Sequence, residues 1–313
     1  MGKLAFVFPG QGAQTVGMGK EFYEGYDLGK KLFDEADEAL GYSIRKLCFE
    51  GPAEELTLTA NTQPAILTVS VIAASLLRER GIMPEVAAGH SLGEYSALVL
   101  AGVLDFQDAV RLVHKRGAFM QEAVPVGEGA MAAVLGLERD KIVAVCEEIS
   151  QESPVQAVNF NCPGQTVIAG AKAGVEKATE ALSAAGAAKC VILPVSAPFH
   201  STLMAPAARK LAAELDKVEI RDAAFPVVSN YTGELESKAA EIKENLVKQA
   251  DHPVKWEDCV AAMVAFGATH FVEAGPGKTL CGFNKRIDRT LKNMNVENPV
   301  SLEKTLDTLK EVR

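Results

Sequence analysis

The chain carries six cysteines, Cys48, Cys146, Cys162, Cys190, Cys259 and Cys281, and no two of them have C-x-x-C spacing. That excludes a thioredoxin-like redox pair and fits free thiols in a reducing compartment rather than a disulfide framework. No cysteine–histidine cluster has the spacing of a zinc site, so no metal is expected. No basic run or basic–aromatic stripe is present, and the formal net charge is -9, which argues against nucleic-acid binding. Any acidic partner would need a local Lys/Arg patch, because the global charge repels it at long range. The N-terminal apolar run, Leu4-Ala5-Phe6-Val7-Phe8, is too short for a signal-peptide core. The longest apolar stretch, Pro64 to Leu77, is interrupted by Thr68, Ser70 and Ser75. It falls short of a membrane span and reads as a buried helix. The expectation is a cytoplasmic protein without a membrane partner. Internal repeats and low-complexity segments are also lacking.

What is present is ordinary globular composition over 313 residues, 48% hydrophobic and 23% charged. That is enough chain for a large core, as one domain with an insertion or as two domains. Leu4–Phe8 reads as a strand buried on both faces. Tyr26–Leu40, Gln63–Arg80 and Phe106–Gln121 read as helices, and Pro84 opens a strand ahead of Gly89. From Gly127 the texture changes. Strands are expected at Ala130–Leu135, Val155–Asn159, Thr166–Ala169 and Cys190–Val195, with a turn at Asn161-Cys162-Pro163-Gly164. Helices are expected at Lys141–Ser150 and Lys172–Ala185. This βαββαβ succession is the ferredoxin-like pattern. Beyond it come helices at Ala205–Leu215, Ala240–Gln249 and Trp256–Phe266, strands at Pro226–Ser229 and His270–Glu273, then Gly275-Pro276-Gly277 and the segment Leu280–Arg286, and a short surface helix after Pro299. The fold class is α/β, with a mostly parallel sheet in the large domain. The division is a discontinuous large domain, residues 1–126 and 196–313, and a small ferredoxin-like domain, residues 127–195.

The motif that names a reaction class is Gly89-His90-Ser91-Leu92-Gly93, a G-x-S-x-G pentapeptide between an apolar run and a helix-like stretch. A nucleophile elbow needs that context: a strand turning sharply into a helix, with the Ser hydroxyl exposed at the turn. The helix N-terminus then faces a developing oxyanion. Ser91 is therefore the candidate nucleophile of acyl transfer through a serine ester. Two nucleotide-binding decoys fail. Gly10-Gln11-Gly12 would need its third glycine at Thr15, and Gly277-Lys278-Thr279 would need a glycine at Val272.

A serine nucleophile needs a base, and there are five histidines. His90 adjoins Ser91 but points elsewhere around a sharp turn, and reads as a packing or backbone-bonding residue. His114 and His270 read as structural. His200, in the loop Ser196-Ala197-Pro198-Phe199-His200-Ser201, is the leading base, with His252 the runner-up.

Seven ordered segments carry a resemblance. They are Phe8–Gln14, Gly89–Glu94, Arg116–Gln121, Ala157–Gln165, Phe199-His200, Gln249–Trp256 and Glu273–Lys278. Over about residues 4–287 the chain closely resembles the malonyl-CoA:acyl carrier protein transacylases of bacterial type II fatty acid synthesis. The resemblance implies an α/β-hydrolase-like large domain with a ferredoxin-like insert. It implies Ser91 as the acyl-carrying nucleophile and His200 as the base. It implies backbone N–H groups of Gln11 and Leu92 as oxyanion hole, and Arg116 as the grip on the malonyl carboxylate. Gln249 matches the position whose backbone carbonyl orients the histidine, with Asp251 a rival orienter. Asn159 is assigned supporting contacts. Phe199 resembles the malonyl-selecting loop, so methylmalonyl should be disfavoured. The implied partners are malonyl-CoA and holo acyl carrier protein; no cofactor is expected, and a monomer suffices. A serine thioesterase with the same elbow is the alternative, disfavoured because a plain hydrolase needs no carboxylate clamp. A non-catalytic carrier-protein-binding module is disfavoured by Ser91 and His200 both being present.

Overall fold

The computed structural model describes residues 2–195 and 197–312; Ser196, where the second large-domain segment was expected to begin, lies outside the described residues. Ten strands are present among them. They are β1 (Lys3–Phe8), β2 (Val86–Gly89), β3 (Gly129–Leu135), β4 (Val155–Cys162), β5 (Gln165–Ala171), β6 (Lys189–Ile192), β7 (Val227–Val228), β8 (Leu235–Glu236), β9 (Ala268–Ala274) and β10 (Lys292–Val296). Two separate sheets result, in the order β10-β9-β1-β2-β7-β8 and β4-β5-β3-β6. The first is parallel from β10 to β7, with β8 antiparallel at its edge. The second is wholly antiparallel. The fold is mixed α/β.

The apolar run at β1 is explained by its place. It sits mid-sheet with both faces covered, Phe6 and Phe8 packing into one core and Ala5 and Val7 into the other. Phe8 pairs with Gly89 at the carboxyl ends of β1 and β2. The loop at Gln11 and the turn at Ser91 are thereby brought side by side, where ligands bind in open α/β sheets.

The second sheet divides its residues by alternation. Ala130, Ala132 and Val134 of β3 pack with Ile142, Val175 and Leu182 of the helices Arg139–Ser150 and Lys172–Ala184. Met131, Val158, Val167 and Ala169 face the opposite way, onto Met120, Phe199 and Met204. The cleft between the sheets is closed on that face. A parallel bridge, Asn159 to Val254, ties β4 to the segment after the helix Ala239–Asp251.

Several elements differ from expectation. The buried helix runs Thr59–Glu79, starting four residues early and holding Pro64 in its interior. Pro64 cannot donate to the Ala60 carbonyl. His114 Nδ1 lies 2.8 Å from that oxygen and replaces the missing N–H, which accounts for this histidine. The helix is long and apolar enough by length and composition to match a membrane span, contrary to the reading of its three hydroxyls; here it is packed inside the protein. Asn161 and Cys162 belong to β4, so the turn is only Pro163-Gly164. The last strand of the antiparallel sheet is Lys189–Ile192, and Leu193 and Val195 leave it to line a cavity. β10 was unforeseen. The segment after Pro299 is a 14-residue helix that buries Leu302, Leu306 and Leu309, not a short surface helix.

Candidate active site

The turn at Ser91 is built by contact. A Cβ on Gly89 would stand 1.8 Å from the Gly93 carbonyl carbon, and one on Gly93 would stand 2.1 Å from Phe8 O. Gly10 meets His90 O in the same way, at 2.4 Å. The glycines let strand, loop and helix close on one point. Ser91 sits there at φ 51°, and His200 at φ 63°; among the described residues these are the only non-glycine residues with positive φ. Each left-handed conformation costs on the order of 1–3 kcal/mol, which surrounding contacts must overcome.

Those contacts converge from distant segments. Asn230 Oδ1 accepts the Ser91 N–H at 2.6 Å, and Asn230 Nδ2 donates to Gly89 O at 2.7 Å. Asn230 thus staples both sides of the elbow. The helix Gly93–Leu100 follows, with Leu92 at its N-cap; the N–H groups of Gly93, Glu94 and Tyr95 close the turn on the carbonyls of His90, Ser91 and Leu92, at 2.9, 3.2 and 3.0 Å.

His200 lies across from Ser91. Its Nε2 is 2.7 Å from Ser91 Oγ, and its Nδ1 is 2.8 Å from the Gln249 carbonyl. A carbonyl only accepts, so Nδ1 carries the proton and Nε2 is free to take one from the serine. Asp251 does not serve this ring. Its Oδ1 is 2.7 Å from Nδ1 of His252, whose ring packs on Tyr231, and neither residue lines the cavity. Burial, with the positive charge of Arg116 adding to it, holds His200 down to about 3. The free enzyme's imidazole is therefore neutral, and competent as a base, well below the range of an ordinary histidine. The expected acid limb of kcat/KM lies below pH 5, where a histidine titrating near 6.5 would already have lost most activity. A pH–rate profile checks this.

Arg116 is 1% exposed yet reaches the cavity. Its Nη1 donates to Gln63 Oε1 at 2.8 Å; its Nη2 donates to Gln249 Oε1 at 2.9 Å and to Ser91 Oγ at 3.2 Å. No carboxylate is hydrogen-bonded to the guanidinium among the described residues. The cavity holds about 110 Å³ and is lined by Gln11, Ser91, Leu92, Arg116, Asn159, Phe199 and His200, with Met120 and Met131 among its apolar wall. The structure thus gathers Ser91, His200, Gln11, Leu92, Arg116, Asn159 and Phe199 around one space, with Gln249 bonded to His200 and Arg116. His90 stands at its edge, bonds the Asn161 side chain at 2.8 Å and packs on Trp256, as a packing residue beside the elbow would. Sequence reasoning missed Gln63, Asn230, Glu94 and the side chain of Gln249. Glu94 and Gln249 had a signal, as the last residue of the elbow segment and the first of Gln249–Trp256.

Residues 5–309 match the acyl transferase domain family. The chain belongs to that family. It is 51% identical over 312 residues to the malonyl CoA-acyl carrier protein transacylase of Bacillus subtilis, covering 99% of this chain and 98% of that protein. Among solved structures it is similar to an acyl carrier protein S-malonyltransferase from Vibrio cholerae, with 46% identity, a TM-score of 0.95 and coverage of 97% and 99%. It is equally similar in fold, at 45% identity, TM-score 0.95 and coverage of 98% and 99%, to a malonyl-transacylase solved in complex with its type II PKS acyl-carrier protein.

For an acyl transferase this arrangement supplies the parts the chemistry requires. A hydroxyl and an unprotonated imidazole nitrogen are in hydrogen-bond contact, the imidazole is held by a carbonyl, and a fixed cation stands beside the hydroxyl.

Proposed function

We propose that this protein moves a malonyl group from malonyl-CoA to the phosphopantetheine thiol of an acyl carrier protein, by a ping-pong route through an ester on Ser91, supplying fatty acid chain elongation. The observation that carries the substrate class is Arg116, a buried guanidinium within 3.2 Å of the nucleophile oxygen and without a bonded carboxylate among the described residues. A planar guanidinium binds a carboxylate by paired hydrogen bonds, each charged bond contributing roughly 1.5–3 kcal/mol. An acetyl group would leave that demand unmet.

In the first half-reaction Ser91 Oγ attacks the thioester carbonyl carbon while His200 Nε2 takes the hydroxyl proton. The carbonyl oxygen becomes an oxyanion facing the N–H groups of Gln11 and Leu92. The C–S bond then breaks, and coenzyme A leaves as its thiol with the proton from His200. In the second half the carrier thiol gives its proton to His200 and attacks the seryl ester; Ser91 Oγ leaves and takes the proton back. The Gln249 carbonyl keeps the imidazole in one tautomer throughout. Asn159 adds supporting contacts. The steps need no metal or cofactor.

The reading extends to architecture and setting. The six-stranded part is read as an α/β-hydrolase-like catalytic domain, residues 1–126 and 196–313, and residues 127–195 as a ferredoxin-like insert. The protein would act as a monomer in the cytoplasm, meeting holo acyl carrier protein there.

Phe199, in the apolar wall near Ser91, leaves little room for an α-methyl group. Phe199→Ala is expected to raise methylmalonyl-CoA turnover relative to malonyl-CoA by about tenfold, the discrimination one or two methylene-sized contacts supply; parallel steady-state assays check it. The experiment for the function as a whole compares coenzyme A release from malonyl-CoA with and without holo acyl carrier protein. Sustained release only with the carrier supports transfer. Equal release without it would make the protein a thioesterase.

A further inference from the structure

Glu94 is fully buried in the first turn of the helix after the elbow and does not line the cavity. Its Oε2 accepts two hydrogen bonds, from the Asn230 N–H and from Gln249 Nε2, each at 2.9 Å. Its Oε1 is buried and without a partner among the described residues. Burial pushes the carboxyl up to about 7, with those two bonds and the charge of Arg116 opposing. A proton gained would reside on the free Oε1, so Oε2 accepts the same two bonds in either state.

The bond to Gln249 decides which way that amide points. Gln249 Nε2 donates to both Ser91 O and Glu94 Oε2, at 2.9 Å each, and its Oε1 accepts from Arg116 Nη2 at 2.9 Å. A flipped amide would set its NH2 against the guanidinium, donor to donor. It would also turn its own oxygen toward Ser91 O and Glu94 Oε2, acceptor to acceptor, leaving them only the N–H groups of Glu94 (3.2 Å) and Asn230 (2.9 Å). The same residue holds His200 through its backbone carbonyl. Glu94 is thus one step removed from the cation in the cavity and attached to the residue that aims it.

We infer that Glu94 is a positioning residue for recognition of the substrate's free carboxylate: it fixes the Gln249 amide, and the amide fixes the direction of the Arg116 guanidinium into the cavity. The inference rests on the malonyl-transferase reading and names a residue that acts on acyl-group choice without touching the acyl group.

The test is single-turnover acylation of Ser91, followed by intact mass, from malonyl-CoA and separately from acetyl-CoA. Wild type is compared with Glu94→Ala, Glu94→Gln and Gln249→Met. Glu94→Ala is expected to lower the malonyl-over-acetyl rate ratio at least about tenfold, the scale of one lost charged hydrogen bond. Glu94→Gln, whose carbonyl can accept both bonds, is expected to keep the ratio within about threefold of wild type. Gln249→Met breaks the same link from the other end and should lower the ratio as Glu94→Ala does, with no further loss in the double variant. An unchanged ratio in Glu94→Ala would overturn the inference. So would a parallel fall for both acyl groups, which marks a merely structural role. If Glu94→Ala does not fold, a wild-type ratio in Gln249→Met overturns it equally. A wild-type enzyme that shows no preference for malonyl would instead sink the malonyl reading itself.

Discussion

Ser91→Ala is expected to abolish the acyl-enzyme and to lower transfer by about 10⁴-fold or more, because a covalent route has no substitute for its nucleophile. The hydroxyl is the single atom on which three groups meet: His200 Nε2 at 2.7 Å, Arg116 Nη2 at 3.2 Å and the space of the cavity. Alanine suits the site less well than serine only in chemistry. The backbone strain at φ 51° is the same for both, and the elbow's bonds run through main-chain atoms, Ser91 N to Asn230 and Ser91 O to Gln249. The variant should therefore fold, with a thermal midpoint near that of wild type, while intact mass shows no adduct. Retained transfer would mean that the acyl group never rests on Ser91.

Arg116→Ala is expected to lower malonyl loading about 10–100-fold while acetyl loading falls far less, reversing much of the preference. A second consequence separates this from simple damage. Arg116 is, after burial, the main cause holding His200 down. Removing a positive neighbour makes the protonated imidazole less costly, so the acid limb of kcat/KM should move to higher pH. A variant that loses rate without moving either the acyl preference or the limb would show that Arg116 merely fills space.

What was legible in the sequence is what local sterics dictate. Gly89, Ser91 and Gly93 are close in sequence, and the tight strand-to-helix turn demands small residues at fixed offsets. The run Leu4–Phe8 showed a doubly covered strand because every side chain in it is apolar. The four strands of the antiparallel part followed from short apolar runs with turn residues between them. Legibility ended where position depends on partners far along the chain. Asn230 reaches Ser91 across 139 positions with nothing in its own neighbourhood to announce it, and Gln249, matched for its backbone carbonyl alone, reaches Ser91 across 158 through its side chain. Glu94 closed the elbow segment without a role; only the fold shows it buried and bonded to Asn230 and Gln249. β10, Lys-Asn-Met-Asn-Val, lacks the apolar alternation of a strand because it is an edge strand whose side chains are mostly half-buried. The charges after Pro299 masked Leu302, Leu306 and Leu309, a helical stripe that packs on the large core. Cys190–Val195 ran too long as a strand because apolarity there serves the cavity wall, not the sheet.

The most direct test of a malonyl-Ser91 intermediate is intact mass after incubation with malonyl-CoA, with the adduct located by peptide mapping, then repeated after holo acyl carrier protein is added. A malonyl adduct on Ser91 that leaves the enzyme and reappears on the carrier is the predicted result. An adduct that decays to free malonate while the carrier stays unmodified, or one on another residue, would contradict it.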